Sequence, residues 1–130
     1  MTEKQESEFV FVYGTLKKGK SAHKFLKGAE FLGEGHIKGT MYGHGLVPYP
    51  MIKLNNPDGV VLGEVYDVPA ELMAAMDKYE GHPHHYKRVE VPIFDKDDPN
   101  DTPTDDAAYA WVYEYQGSVE GLDVIKSGVF

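Results

Sequence analysis

The sequence predicts an α+β domain: a curled, mostly antiparallel sheet carrying one main helix and one short helix. Three observations lead there. Short β-forming runs recur along the chain, bounded by clusters of Gly, Pro, Asn and Asp. Only the stretch around residues 69–80 sustains helical periodicity. The regular strand–helix alternation of a parallel sheet is missing.

The first element is Phe9-Val10-Phe11-Val12-Tyr13, a continuous apolar run of β-formers, as expected of a strand buried on both faces. Gly14-Thr15-Leu16-Lys17-Lys18-Gly19 breaks it, and Ser21 would cap a short helix through Ala22, His23, Phe25 and Leu26. Glycine-dotted strand pieces follow around Phe31-Leu32, Ile37 to Tyr42 and Met51 to Leu54. Leu46-Val47-Pro48-Tyr49-Pro50 does not read as a central strand, because two prolines remove ladder donors. Asn55-Asn56-Pro57-Asp58-Gly59 is a turn by composition, and Val60 to Val68 is the next strand.

Pro69 suits the first turn of a helix that runs to Tyr79 or Glu80, with Gly81 as its stop. Arg88 to Phe94 alternates as a strand, Asp95 to Asp106 reads as an acidic surface loop, and Ala107 to Tyr115 is the last clear strand. Residues 1–8 are expected to form a flexible polar leader and 9–130 a single domain, which 130 residues fill without room for a second.

Charge and composition narrow the function. The net charge of −8 argues against DNA, RNA or an anionic membrane as the main partner. The chain has no cysteine, which removes disulfides, thiolate nucleophiles and Cys-ligated metals together. No apolar stretch reads as a signal peptide or approaches the ~20 residues that span a bilayer. The expectation is a cytoplasmic protein, monomeric by default.

Gly14-Thr15-Leu16-Lys17-Lys18-Gly19-Lys20-Ser21 satisfies the phosphate-loop pattern G-x-x-x-x-G-K-[ST] between a strand and a short helix. In that reading Lys20 would meet terminal phosphates and Ser21 a magnesium ion. The rest of the chain lacks the parallel sheet with helical crossovers that such enzymes need, so nucleotide binding is a secondary reading.

The sharpest chemical signal is Glu80. At ~100° per residue from Leu72, Met76 falls near ~40°, Met73 near ~100°, Tyr79 near ~340° and Glu80 near ~80°, within the apolar arc. Glu71 and Lys78 point the opposite way. A carboxylate on a buried stripe is costly unless it is paired or used, and the helix C-terminus disfavours it further. Both effects raise its pKa, as proton transfer requires. The alternative is a frayed last turn that lets Glu80 turn out into water.

Two other arrangements invite chemistry. His82, His84 and His85 lie near Asp77 and Glu80, a grouping that suggests a metal, but Pro83 and the loop setting make convergence difficult. Glu64, between Leu62 and Tyr66 on one strand face, would offer glycosidase-type chemistry with Glu80, or serve as a hydrogen-bonded structural acid.

Val12-Tyr13-Gly14-Thr15-Leu16, then Gly63-Glu64-Val65-Tyr66-Asp67-Val68, Met76-Asp77-Lys78-Tyr79-Glu80-Gly81 and Tyr86-Lys87-Arg88 together resemble the γ-glutamylcyclotransferase-like superfamily, with the AIG2-like γ-glutamylamine cyclotransferases as the nearest subgroup. The resemblance runs from Phe9 to about Tyr115. It implies a small mixed domain around a β-barrel. It implies a substrate-binding turn at Tyr13, Gly14, Thr15 and Leu16, with Glu80 as the catalytic acid/base. The implied substrate is a small γ-glutamyl compound that cyclises to 5-oxoproline without cofactor or metal. Tyr86 and Arg88 would be wall residues. A domain of the same fold that only binds small molecules is the rival reading.

Overall fold

The computed structural model describes residues 7–14, 17, 23–43, 50–54, 59–95 and 108–125. Among these, eight strands and one α-helix follow in the order β1 (Ser7–Val12), β2 (Glu30–Lys38), β3 (Thr40–Gly43), β4 (Met51–Lys53), β5 (Val60–Pro69), α1 (Ala70–Glu80), β6 (Tyr86–Asp95), β7 (Ala108–Tyr115) and β8 (Asp123–Val124). A single 3₁₀ turn, His23–Leu26, stands where the short helix is expected. Its proposed cap Ser21 lies outside the described residues, as do Leu46 to Tyr49, Asn55 to Asp58 and the acidic loop after Asp95.

Five strands close into a barrel in the order β1-β5-β2-β6-β7, and β4-β3-β8 form a second, three-stranded sheet. The barrel pairings are antiparallel except at its seam, where β1 meets β7 in parallel with Val10 opposite Trp111. Lys20 and Ser21 of the phosphate-loop pattern lie outside the described residues, and the described strands do not make the parallel sheet that pattern needs.

Successive residues of β1 face two different cores, which is why its apolar run does not alternate. Val10 and Val12 pack with Tyr66, Val68, Tyr86, Tyr113 and the helix residues Met73 and Met76. Phe11 and Tyr13 pack with Ile37, Val61, Val112 and Ile52. Phe9 is the exception: it stands one step beyond both clusters, across from Asp67, and is exposed. The strand nevertheless begins earlier, at Ser7, because Ser7 and Glu8 extend the pairing to Pro69 and Val68. Glu8 Oε2 also accepts Trp111 Nε1–H at 3.1 Å.

The piece foreseen at Phe31-Leu32 runs on to Lys38 as one strand, β2, with a bulge between Phe31 and Gly33, and the piece foreseen from Ile37 to Tyr42 is divided at Gly39 between β2 and β3. β8 is two residues long and has no periodicity to read; it is recognisable only through its pairing with Tyr42 and Gly43.

Pro69 ends β5 with an extended backbone and is the N-cap of α1 rather than part of its first turn; no side chain caps this end. Packing holds the helix instead. Burying Met73 and Met76 contributes about 1.5–3 kcal/mol each, more than the ~1 kcal/mol that a cap side chain supplies. At the other end Gly81 adopts φ 68°, its N–H reaching the Lys78 carbonyl at 3.2 Å and that of His82 the Asp77 carbonyl at 2.9 Å. This pair of bonds around a left-handed glycine is a Schellman stop.

Gly63 of β5 lies beside the end of β1 where the candidate site begins. A Cβ there would stand 2.3 Å from the Val12 carbonyl oxygen and 2.7 Å from the Phe11 ring. Backbone on one side and a fully buried ring on the other leave no direction for relief. Gly63→Ala is therefore expected to destabilise the fold by at least about 2–3 kcal/mol. Urea denaturation checks this, and an unchanged midpoint would contradict the packing described.

Candidate active site

Glu80 is the last residue of α1, and the helix delivers it toward the core rather than away from it. Met73 and Met76 are buried, while Glu71 and Lys78 are exposed on the opposite side. The buried arc is centred on Met73, Met76 and Glu80; Tyr79, at the edge of the predicted arc, is exposed. The residue Glu80 is half-buried, but its carboxyl is largely withdrawn from water, and this burial raises its pKa from 4.5 to about 7.

Two tyrosine hydroxyls share that neighbourhood. Burial lifts Tyr13 well above the ordinary tyrosine range, and the nearby Tyr86, Glu80 and Glu114 lift it further. Tyr113 is raised by burial first, then by its hydrogen bond to Asp77 and the charges of Asp77 and Glu80, against an opposing effect of Arg88. A negative charge on Glu80 is thus felt by both phenols, which keeps them protonated as donors.

The donors are engaged. Tyr13 Oη donates to the Tyr113 carbonyl across 100 residues of sequence. Tyr113 Oη donates to Asp77 Oδ1 at 2.7 Å, one turn before Glu80 on the same helix. Arg88 Nε lies 2.9 Å from that same Asp77 oxygen; its N–H is not aligned for a hydrogen bond, so the contact is an ion pair. The Arg88 guanidinium also sits 5.0 Å over the Trp111 ring. On the other side of Tyr13, Tyr86 Oη donates to the Pro50 carbonyl at 3.1 Å, and Glu114 Oε2 accepts Leu54 N–H at 2.7 Å.

The structure distributes the sequence candidates as follows. Tyr13 is buried, and its hydroxyl is committed to the Tyr113 carbonyl rather than presented as a donor. Gly14 is buried too; a Cβ there would come within 2.9 Å of the Pro50 ring, so the glycine accommodates Pro50. Thr15 and Leu16 lie outside the described residues. Glu64 Oε1 accepts Tyr66 Oη at 3.1 Å, the hydrogen-bonded structural arrangement. Tyr86 is buried and bonded to the Pro50 carbonyl, and Arg88 is paired with Asp77.

Of the histidines, His82 Nδ1 accepts the Arg88 N–H at 3.1 Å. His84 is exposed, and His85 packs its ring against Tyr86 and Tyr115 at 5.1 and 5.5 Å. Among the described residues, no group of three or more His, Cys, Asp or Glu is placed to hold a metal ion. Asp77, Tyr113 and Pro50 are the participants that sequence reasoning missed as site residues. For Asp77 a signal existed: it falls beside Met73 on the edge of the buried arc, one turn from Glu80. Tyr113 and Pro50 are found only through the fold.

Residues 10–130 match the family described as gamma-glutamyl cyclotransferase, AIG2-like. The chain belongs to this family. A Methanocaldococcus jannaschii protein named provisionally as a gamma-glutamylcyclotransferase is 39% identical over 89 residues, covering 66% of this chain and 72% of the relative. The bovine gamma-glutamylaminecyclotransferase is 35% identical over 96 residues, covering 65% of this chain and 55% of that protein, so the likeness spans about half of the bovine enzyme.

The crystal structure of an uncharacterised Pyrococcus horikoshii protein superposes with a TM-score of 0.72 at 33% identity, covering 95% of this chain and 90% of that one. The barrel with one main helix is thus the family's architecture. The protein is an enzyme of the γ-glutamylcyclotransferase kind, and its substrate is a small γ-glutamyl compound. Among the described residues no helix is long and apolar enough to cross a membrane.

In this γ-glutamylcyclotransferase fold the burial of Glu80 carries a pH signature. Between its unfolded value of 4.5 and its folded value of about 7 the native state holds a proton that the unfolded chain has released. Stability therefore falls as pH rises through that window. Glu80→Gln removes the effect: at about pH 8 the variant should melt several degrees above wild type, and at about pH 4.5 the gap should close. Differential scanning fluorimetry reads both, and an equal gap at the two pH values would contradict a sheltered carboxyl.

Proposed function

We propose that the enzyme closes the α-amino group of a γ-glutamyl amine or amino acid onto its own γ-carbonyl, releasing 5-oxoproline and the free amine, with Glu80 as general acid/base. The observation that carries this reading is the placement of Glu80 on the buried arc of α1 with Met73 and Met76, where burial lifts its carboxyl from 4.5 to about 7 in the neighbourhood of Tyr13 and Tyr113. It is a carboxyl suited to exchange a proton at physiological pH.

The chemistry is intramolecular. The α-nitrogen forms the lactam C–N bond as the γ-amide C–N bond breaks, and no water or second substrate enters. The enzyme's main task is to hold a folded-back conformer, an orientation effect that supplies up to ~7–11 kcal/mol in favourable cases. The α-ammonium must first lose a proton and the leaving nitrogen must gain one. Ionised Glu80 takes the first, and its protonated form returns one to the departing amine.

Backbone amides of the Tyr13-Gly14-Thr15-Leu16 segment are assigned to the substrate carboxylate or to the oxyanion that develops at the γ-carbon. The family match supports that assignment, and the committed hydroxyl of Tyr13 leaves main-chain groups as the natural donors there. In the same proposal the enzyme works on cytoplasmic γ-glutamyl compounds.

Because Glu80 must be ionised to accept the first proton, kcat/KM for 5-oxoproline release should rise with pH through a midpoint of about 7. Glu80→Gln should lower kcat by about 10²–10⁴-fold. A panel of γ-glutamyl amino acids and amines, assayed for 5-oxoproline, tests both. Turnover that survives in Glu80→Gln would remove the proposed acid/base.

A further inference from the structure

Asp77 and His82 bracket Glu80 in sequence, and the structure joins the brackets. Asp77 Oδ1 is ion-paired with Arg88 Nε at 2.9 Å and accepts the Tyr113 hydroxyl at 2.7 Å. The backbone N–H of Arg88 donates to His82 Nδ1 at 3.1 Å, and the backbone N–H of His82 returns to the Asp77 carbonyl at 2.9 Å. From Asp77 through Arg88 and His82 back to Asp77 the contacts close a ring. Glu80 lies on the span of chain between its two anchored ends.

Part of this ring is ordinary. The bond from His82 N–H to the Asp77 carbonyl is part of the Schellman stop that ends many helices. The imidazole bond is different: it is a side-chain acceptor that reaches from the turn to a strand of the barrel. That strand, β6, is paired with β7 from Tyr86 to Ile93, so the turn is fastened to the barrel wall and not merely to its own helix. An accepting Nδ1 is unprotonated, and the bond therefore selects the imidazole with its proton on Nε2.

We propose that His82 is a positioning residue for the reaction: its Nδ1, accepting the Arg88 N–H, fastens the turn after Glu80 to β6 and holds the Glu80 carboxylate in its sheltered orientation. This rests on the acid/base reading of Glu80. Without the imidazole acceptor the turn keeps the helix-end bonds, the bonds of His84 and His85 N–H to the Gly81 carbonyl and that of Gln116 N–H to the His85 carbonyl, but the residue two places after Glu80 loses its bond to β6, and a carboxylate near the protein surface gains hydration by rotating outward. A displacement of about 1 Å at a reacting group costs up to ~10²-fold in rate. Leucine fills much of the imidazole's volume without an acceptor, whereas asparagine offers an oxygen near the place of Nδ1.

The test uses His82→Leu, His82→Asn and Glu80→Gln in the full chain, with circular dichroism to confirm folding. In His82→Leu, kcat for 5-oxoproline release should fall about 10–100-fold with KM within about twofold. The ¹³C titration of the Glu80 carboxyl, assigned by its loss in Glu80→Gln, should move from about 7 toward 4.5. His82→Asn should restore both. In wild type, a scalar coupling between the Arg88 amide nitrogen and His82 Nδ1 should report the bond directly, whatever the variants do.

Absence of that coupling overturns the proposal. So does a folded His82→Leu with wild-type kcat and titration, even where Glu80→Gln is inactive and the acid/base reading stands. Activity that survives in Glu80→Gln defeats that reading, and with it the catalytic role of His82. The coupling and the titration still report whether the ring holds the carboxylate.

Discussion

A carboxylate on the apolar stripe of α1 is the constraint around which the rest of the molecule is arranged. The helix cannot turn Glu80 outward without exposing Met73 and Met76, because all three share one arc. Nor can it unravel cheaply at that point, since the left-handed Gly81 stops it one residue later and two backbone bonds close the turn. Burial of hydrocarbon thus supplies free energy that keeps the end of the helix, with the titratable residue it carries, against the core. The proton affinity of Glu80 follows from that compromise.

The tyrosines around it hold the surrounding strands together. Tyr13 joins the end of β1 to the main chain of β7, Tyr113 joins β7 to α1 through Asp77, and Tyr86 joins β6 to Pro50 just ahead of β4. Each spans two elements and combines a large apolar ring with one polar tip, a combination suited to a wall that must be both packed and hydrogen-bonded. Gly14 belongs to the same economy of space, because the Pro50 ring occupies the volume its side chain would take.

Much of this was legible in the sequence because it is local. The strand at Phe9 to Tyr13, the helix ending at Gly81 and the misfit of Glu80 on its apolar face all follow from patterns within about a dozen residues. Pro69 was read one position too far into the helix, since a proline N-cap and a proline in the first turn differ only in backbone angle. Phe9 was read as buried because an apolar run does not announce where its core ends. Tyr113 and Pro50 were not legible as site residues, and His82 was legible only as a candidate metal ligand: their contacts are with partners brought close by barrel closure. The two-residue β8 offers no pattern at all.

The seam of the barrel has a consequence for how the molecule comes into being. β1 must wait for β5, more than fifty positions downstream, and then for β7, so its hydroxyl contact from Tyr13 spans 100 residues of chain. Closing such long loops is entropically slow, and folds dominated by distant pairings form late rather than stepwise. Synthesis runs from the N-terminus, so Glu80 is in the chain before Tyr113 and the rest of β7. The neighbourhood that shifts its proton affinity is a property of the closed barrel, so a nascent chain carries the carboxyl before it carries those surroundings.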